Sequence, residues 1–123
     1  MATFGRPRQT LHVLRQDPLL ASTRTQVVTL FAGRRLDFLF LTGESDPDWV
    51  RAVLDSYASL VRSGGLVALD GIRPRPGGGD GLVQLWRQVR GRKRELVGDP
   101  DQPGFGIGVV RVGARTVPTW WRG

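Results

Sequence analysis

Leu36-Asp37-Phe38-Leu39-Phe40-Leu41 and Leu66-Val67-Ala68-Leu69-Asp70 are the two stretches on which the fold turns. The first lies between Arg34-Arg35 and Thr42-Gly43, the second between Gly64-Gly65 and Gly71. Short apolar runs without polar alternation predict strands buried on both faces, as in a parallel sheet. The intervening segment predicts a helix. Asp46 suits its N-cap, Pro47 the first helical position, and Asp48 complements the N-terminal dipole. Trp49, Val50, Val53, Leu54, Tyr57, Leu60 and Val61 form one apolar stripe at helical spacing, ended by Ser63-Gly64-Gly65 as a left-handed C-cap. Leu36 to Asp70 therefore reads as a βαβ unit with a right-handed crossover.

Toward the C-terminus, Arg73 to Gly79 is rich in proline and glycine and must be a loop. Asp80 is placed to cap a further helix whose buried face is Leu82, Val83, Leu85, Trp86 and Val89. Arg94–Val97 and Phe105–Val112 read as two more strands. The short turn-rich link from Gly98 to Gly104 favours pairing them antiparallel over another crossover. The end of the chain carries Trp120 and Trp121, suited to cover an open edge or to face a partner.

Toward the N-terminus, Thr23–Ala32 has near-helical apolar spacing and stops at Gly33, and Leu11–Arg15 is a short strand candidate closed by Gln16-Asp17-Pro18. The first ten residues read as a flexible arm. The 123 residues form a single domain.

The chain has no cysteine and one histidine, His12, so neither a disulfide nor a thiolate metal site is available. A lone histidine in a short strand reads as structural or exposed rather than as a general base. No apolar run reaches the length of a membrane helix, and Met1 to Thr10 lacks an apolar signal core. The expectation is a cytoplasmic protein. Net charge is +7, from 18 basic and 11 acidic residues, and every basic residue except Lys93 is arginine. That charge favours polyanions. Even so, nothing in the sequence resembles a recognition helix or stacking platform, so nucleic acid is not the expected partner. The cluster Arg90, Arg92, Lys93 and Arg94 reads as a solvated helix end.

The order strand, helix, strand, helix, antiparallel pair resembles the C-terminal half of class I S-adenosylmethionine-dependent methyltransferases. The similarity is to the cephalosporin-hydroxylase-like and small-molecule O-methyltransferase branch. It is carried by Leu36–Leu41, by Tyr57 to Asp70, by Trp86 and by Gly104-Phe105-Gly106-Ile107-Gly108-Val109-Val110. The fold this implies is α/β: a partial Rossmann-like, methyltransferase-type, mostly parallel sheet with a C-terminal antiparallel strand pair.

The same resemblance implies what is altered. In the family a glycine-rich turn after the first strand, and an acidic residue after the second, hold the cofactor. These 123 residues contain no such loop, and Gly77-Gly78-Gly79 lies in the wrong place for it. The acidic set that follows the family's fourth strand is here Thr42-Gly43-Glu44-Ser45, and the fifth strand ends Asp70-Gly71. Glu44 and Asp70 are the candidate catalytic carboxylates, a depleted set for a divalent metal. Asp17 falls near the family's adenine-side aspartate and is the candidate cofactor contact.

The resulting expectation is a degenerate or truncated methyltransferase-like domain, inactive alone, with S-adenosylmethionine bound only if a partner completes the site. Its apolar sheet edge is expected to make a homodimer or hetero-complex, unless Leu11–Arg15 pairs with it. The alternatives are an O-methyltransferase component whose cofactor half comes from another chain, and a basic nucleic-acid-associated protein.

Overall fold

The computed structural model describes residues 9–42, 46–74, 82–99, 101 and 106–113. Its centre is the anticipated βαβ unit, strand β1 (Leu36–Leu41), helix α2 (Pro47–Tyr57) and strand β2 (Val61–Asp70), with β1 and β2 paired in parallel. Helix α1 (Ala21–Leu30) precedes it. Helix α3 (Val83–Gln88), strand β3 (Arg92–Leu96) and strand β4 (Ile107–Arg111) follow.

Strand order across the single sheet is β1-β2-β4-β3. Strand β4 runs antiparallel to both β2 and β3, so β1, β2 and β3 point the same way and β4 is reversed between two of them. The protein is thus α/β with a mixed sheet. Among the described residues only one of the three pairings is parallel, which corrects the expectation of a mostly parallel sheet. The cause is the short β3–β4 link, which returns the chain antiparallel and inserts β4 beside β2.

Helix α2 begins as its sequence dictates. The Asp46 carboxylate accepts from Asp48 N–H at 3.0 Å, and Pro47 occupies the first turn. Val50, Val53, Leu54 and Tyr57 are buried. The helix stops earlier than the apolar stripe suggested. Ala58–Leu60 tighten into a 3-10 turn, and Val61 already belongs to β2.

Gly64 and Gly65, expected to cap the helix, instead form an irregularity within β2. The β1–β2 register jumps there from Leu36↔Val61 to Phe38↔Leu66. Gly64 has φ +82°, and a Cβ on Gly65 would come within 2.9 Å of the Asp37 carbonyl oxygen. The glycines are required for the bulge.

Helices α2 and α3 cover one face of the sheet. The core beneath them contains Val50, Leu54, Val67, Leu69, Leu82, Leu85, Trp86, Val89 and Val110, with Leu39 and Leu41 packed against it. All five anticipated core residues of α3 are buried. Asp80, expected to cap that helix, lies outside the described residues. Gly108 makes room for Trp86, whose ring would sit 2.7 Å from an added Cβ. The indole N–H donates to the Glu95 carboxylate at 2.9 Å, and the Lys93 ammonium lies 4.7 Å from the ring centroid.

Two N-terminal expectations change. Leu11–Arg15 forms no strand; Leu11, Val13 and Leu14 are exposed, and nothing pairs with the outer side of β1 among the described residues. The turn at Asp17, where Leu20 N–H donates to the Asp17 carbonyl oxygen at 3.2 Å, leads directly into α1. Helix α1 itself buries only Thr23 and leaves Val28 and Leu30 exposed. It is held instead by Arg24 donating to the Ser56 carbonyl oxygen at 2.9 Å. None of the helices among the described residues is long and apolar enough to cross a membrane.

Candidate functional site

Strand β1 is not buried on both faces. Leu36 is buried and Leu39 and Leu41 partly so, whereas Asp37, Phe38 and Phe40 are exposed. The correction follows from position. Among the described residues β1 is an edge strand, and α2 and α3 cover one side of it.

Strand alternation and the pairing register place Phe38 and Phe40, but not Asp37, on the surface away from α2 and α3. Its first row is Phe38, Leu66, Arg111 and Arg92, and its second Phe40, Ala68, Val109 and Arg94. The third contains Asp70, Ile107 and Leu96. This face grades from an exposed aromatic edge on β1, through half-buried Leu66, Ile107 and Val109 and fully buried Ala68 on β2 and β4, to exposed arginines on β3 and the end of β4. The Phe38 and Phe40 rings stack, with centroids 6.2 Å apart and planes 10° from parallel. A shallow groove over the other side of the face is lined by Leu66, Val109, Leu96, Arg92, Arg94 and Arg111 among others.

The arginine cluster belongs to this surface. Helix α3 ends at Gln88, so Arg92 to Arg94 lie in β3 and not at the end of a helix. Lys93 points to Trp86 on the covered face, and burial lowers its pKa against the opposing pull of Glu95. Arg92 and Arg94 have no ion-pair partner among the described residues, where the one salt bridge joins Arg62 to Asp37 at 2.8 Å. Arg111 donates to the Gly64 carbonyl oxygen at 3.0 Å, which ties one end of the arginine row to the β2 bulge.

Of the three carboxylates singled out in the sequence, Asp70 sits at the carboxyl end of β2, where ligands bind in open α/β sheets. Its Oδ2 accepts from Thr42 Oγ1 at 2.8 Å, closing the ends of β1 and β2 together. Glu44 lies outside the described residues. Asp17 makes a turn, its Oδ1 accepting from Leu19 N–H at 2.9 Å.

The neighbouring Pro18 carbonyl oxygen accepts from the Tyr57 hydroxyl at 2.7 Å. Tyr57 ends α2, beside the start of β2, so Asp17 and Asp70 lie at opposite ends of the βαβ unit and are not brought together. Burial raises the Tyr57 pKa; Arg24 opposes the shift and Asp17 adds to it. No cluster of three or more metal-ligating side chains occurs among the described residues.

Sequence reading missed the open face because five of the six β1 residues are apolar, which hides which side is covered. One signal was present. Gly108 alternates with Ile107 and Val109 on β4, and a glycine facing a core marks the side that a large neighbour such as Trp86 must occupy. Comparison with protein-family models, with curated proteins and with solved structures finds no match for this chain.

Proposed function

We propose that this chain is a methyltransferase-type half-sheet acting as an interaction or subunit module, without catalysis of its own. The observation that carries the reading is the open face: an apolar sheet surface with Phe38 54% and Leu96 51% exposed, next to the unpaired edge of β1. Contiguous exposed apolar surface marks an interaction site, and an apolar edge invites another strand. The module works by filling these two vacancies, in a homodimer or a hetero-complex joined through the β1 edge. Three strands sharing one direction, with β4 reversed among them, support the Rossmann-like part of the reading.

A second reading is favoured by the Thr42–Asp70 pair at the carboxyl ends of β1 and β2. It is an O-methyltransferase component in which a partner chain supplies the S-adenosylmethionine-binding half. Calorimetric titration of the chain alone with S-adenosylhomocysteine, with and without magnesium, tests the proposal. The expected result is no heat and an unchanged melting temperature. Micromolar binding to the chain alone would overturn it.

A further inference from the structure

We infer that this face seats an amphipathic helix of a partner protein, its aliphatic stripe over the half-buried Leu66, Ile107 and Val109 and its acidic flank against the exposed Arg92, Arg94 and Arg111. The inference rests on the reading of the chain as an interaction module and names that module's partner. Four strands at their usual spacing make a face about 14 Å wide, and a helix with side chains is about 10–12 Å across. One helix therefore fills the two central strands. That central band is aliphatic, the chemistry by which helices cover sheets.

Charge selects the helix. Arg92 and Arg94 are exposed and lack an ion-pair partner among the described residues. The chain's own ends do not complement them: residues 1–8 contain Arg6 and Arg8, residues 114–123 contain Arg115 and Arg122, and neither segment has an aspartate or glutamate. A second copy laid face to face sets the arginines against its own arginines or against Phe38 and Phe40, according to the direction of the two-fold axis, and in neither case opposite a carboxylate. Among the described residues the one acidic group on the face, Asp70, is already bonded to Thr42.

Single-stranded nucleic acid would also answer the charge, but it needs flat rings beside the cations. Here the two phenylalanines stack on each other at the β1 edge, with the aliphatic strands β2 and β4 between them and the arginines of β3.

The test uses the full chain and three fluorescent probes, read by anisotropy. Two are synthetic helical peptides about 18 residues long, enough to sustain a helix, with the same leucine–alanine stripe. One is flanked by glutamates, the other by lysines. The third is a single-stranded oligothymidylate. The glutamate peptide is expected to bind tighter than the lysine peptide by about tenfold or more, with weakening in salt. An Arg92→Glu/Arg94→Glu variant, altered only at exposed positions and checked for an unchanged circular-dichroism spectrum, is expected to reverse that preference. Equal binding of the peptides, binding of neither, or tighter binding of the oligothymidylate would overturn the inference. The reading beneath it fails on a different measurement, binding of S-adenosylhomocysteine by the chain alone.

Discussion

The two faces of this sheet share one set of ladder hydrogen bonds and differ in almost everything else. On the covered face Val67, Leu69 and Val110 are 0%, 0% and 3% exposed, under α2 and α3. On the open face Phe38 and Phe40 are 54% and 44% exposed, their rings stacked on each other at the β1 edge. Full burial of one such side chain is worth about 1.5–3 kcal/mol. The covered face has realised that stabilisation within the chain, whereas Phe38 and Phe40 have realised only part of it. Identical backbone pairing thus supports a buried surface and a partly exposed one a single side chain apart, the second being the surface proposed to take a partner.

Substitutions should separate the faces by size of effect. Leu69→Ala removes a fully buried side chain at the centre of the covered face and is expected to lower stability by about 2–5 kcal/mol, read from the urea midpoint. Gly108→Ala places a methyl group against the Trp86 ring and is expected to cost about 1–3 kcal/mol. A shift in tryptophan emission would accompany it, because the Trp86–Glu95 hydrogen bond must move.

Tyr57→Phe loses the hydrogen bond to Pro18 and is expected to cost about 1 kcal/mol. It also carries a pH signature. The fold holds the phenol proton more tightly than the unfolded chain does. The stabilisation is therefore complete below pH of about 10 and is lost as pH rises through the raised pKa. Lys93 has the opposite sign, because its lowered pKa makes stability rise with pH below the ordinary lysine value. The difference between wild type and Tyr57→Phe in an alkaline denaturation series isolates the phenol. Phe38→Ser, on the open face, is expected to change stability by no more than about 0.5 kcal/mol. A loss as large as that of Leu69→Ala would erase the distinction between the faces.

Local signals made much of the fold legible. The bounds of β1 and the start of α2 follow from Arg34-Arg35 and Asp46-Pro47, and the buried face of α3 from its spacing. The antiparallel pair follows from a link too short for a crossover. The remaining features depend on tertiary context. Gly64 and Gly65 have the same local chemistry in a helix cap and in a strand bulge, and the pairing of β2 with β1, which brings the Asp37 carbonyl oxygen against Gly65, is tertiary. Leu11–Arg15 has strand composition, but the turn at Asp17 carries the chain into α1. The position of Asp70 was legible because it ends a strand. Its pairing with Thr42 was not, because that depends on the register between β1 and β2. The open face was the least legible feature, since an apolar run does not say which of its sides a helix will reach.

Hydroxyl-radical footprinting of the chain at low concentration, alone and with the glutamate-flanked peptide, tests the division of the sheet most directly. In the free chain Phe38, Phe40, Leu66 and Leu96 are expected to oxidise readily while Val67, Leu69 and Leu85 stay protected. Leu66 and Leu96 should then become protected in the complex. Protection of Phe38, Phe40 and Leu96 already in the free monomer would mean that the face is covered from within the chain, and would contradict the account.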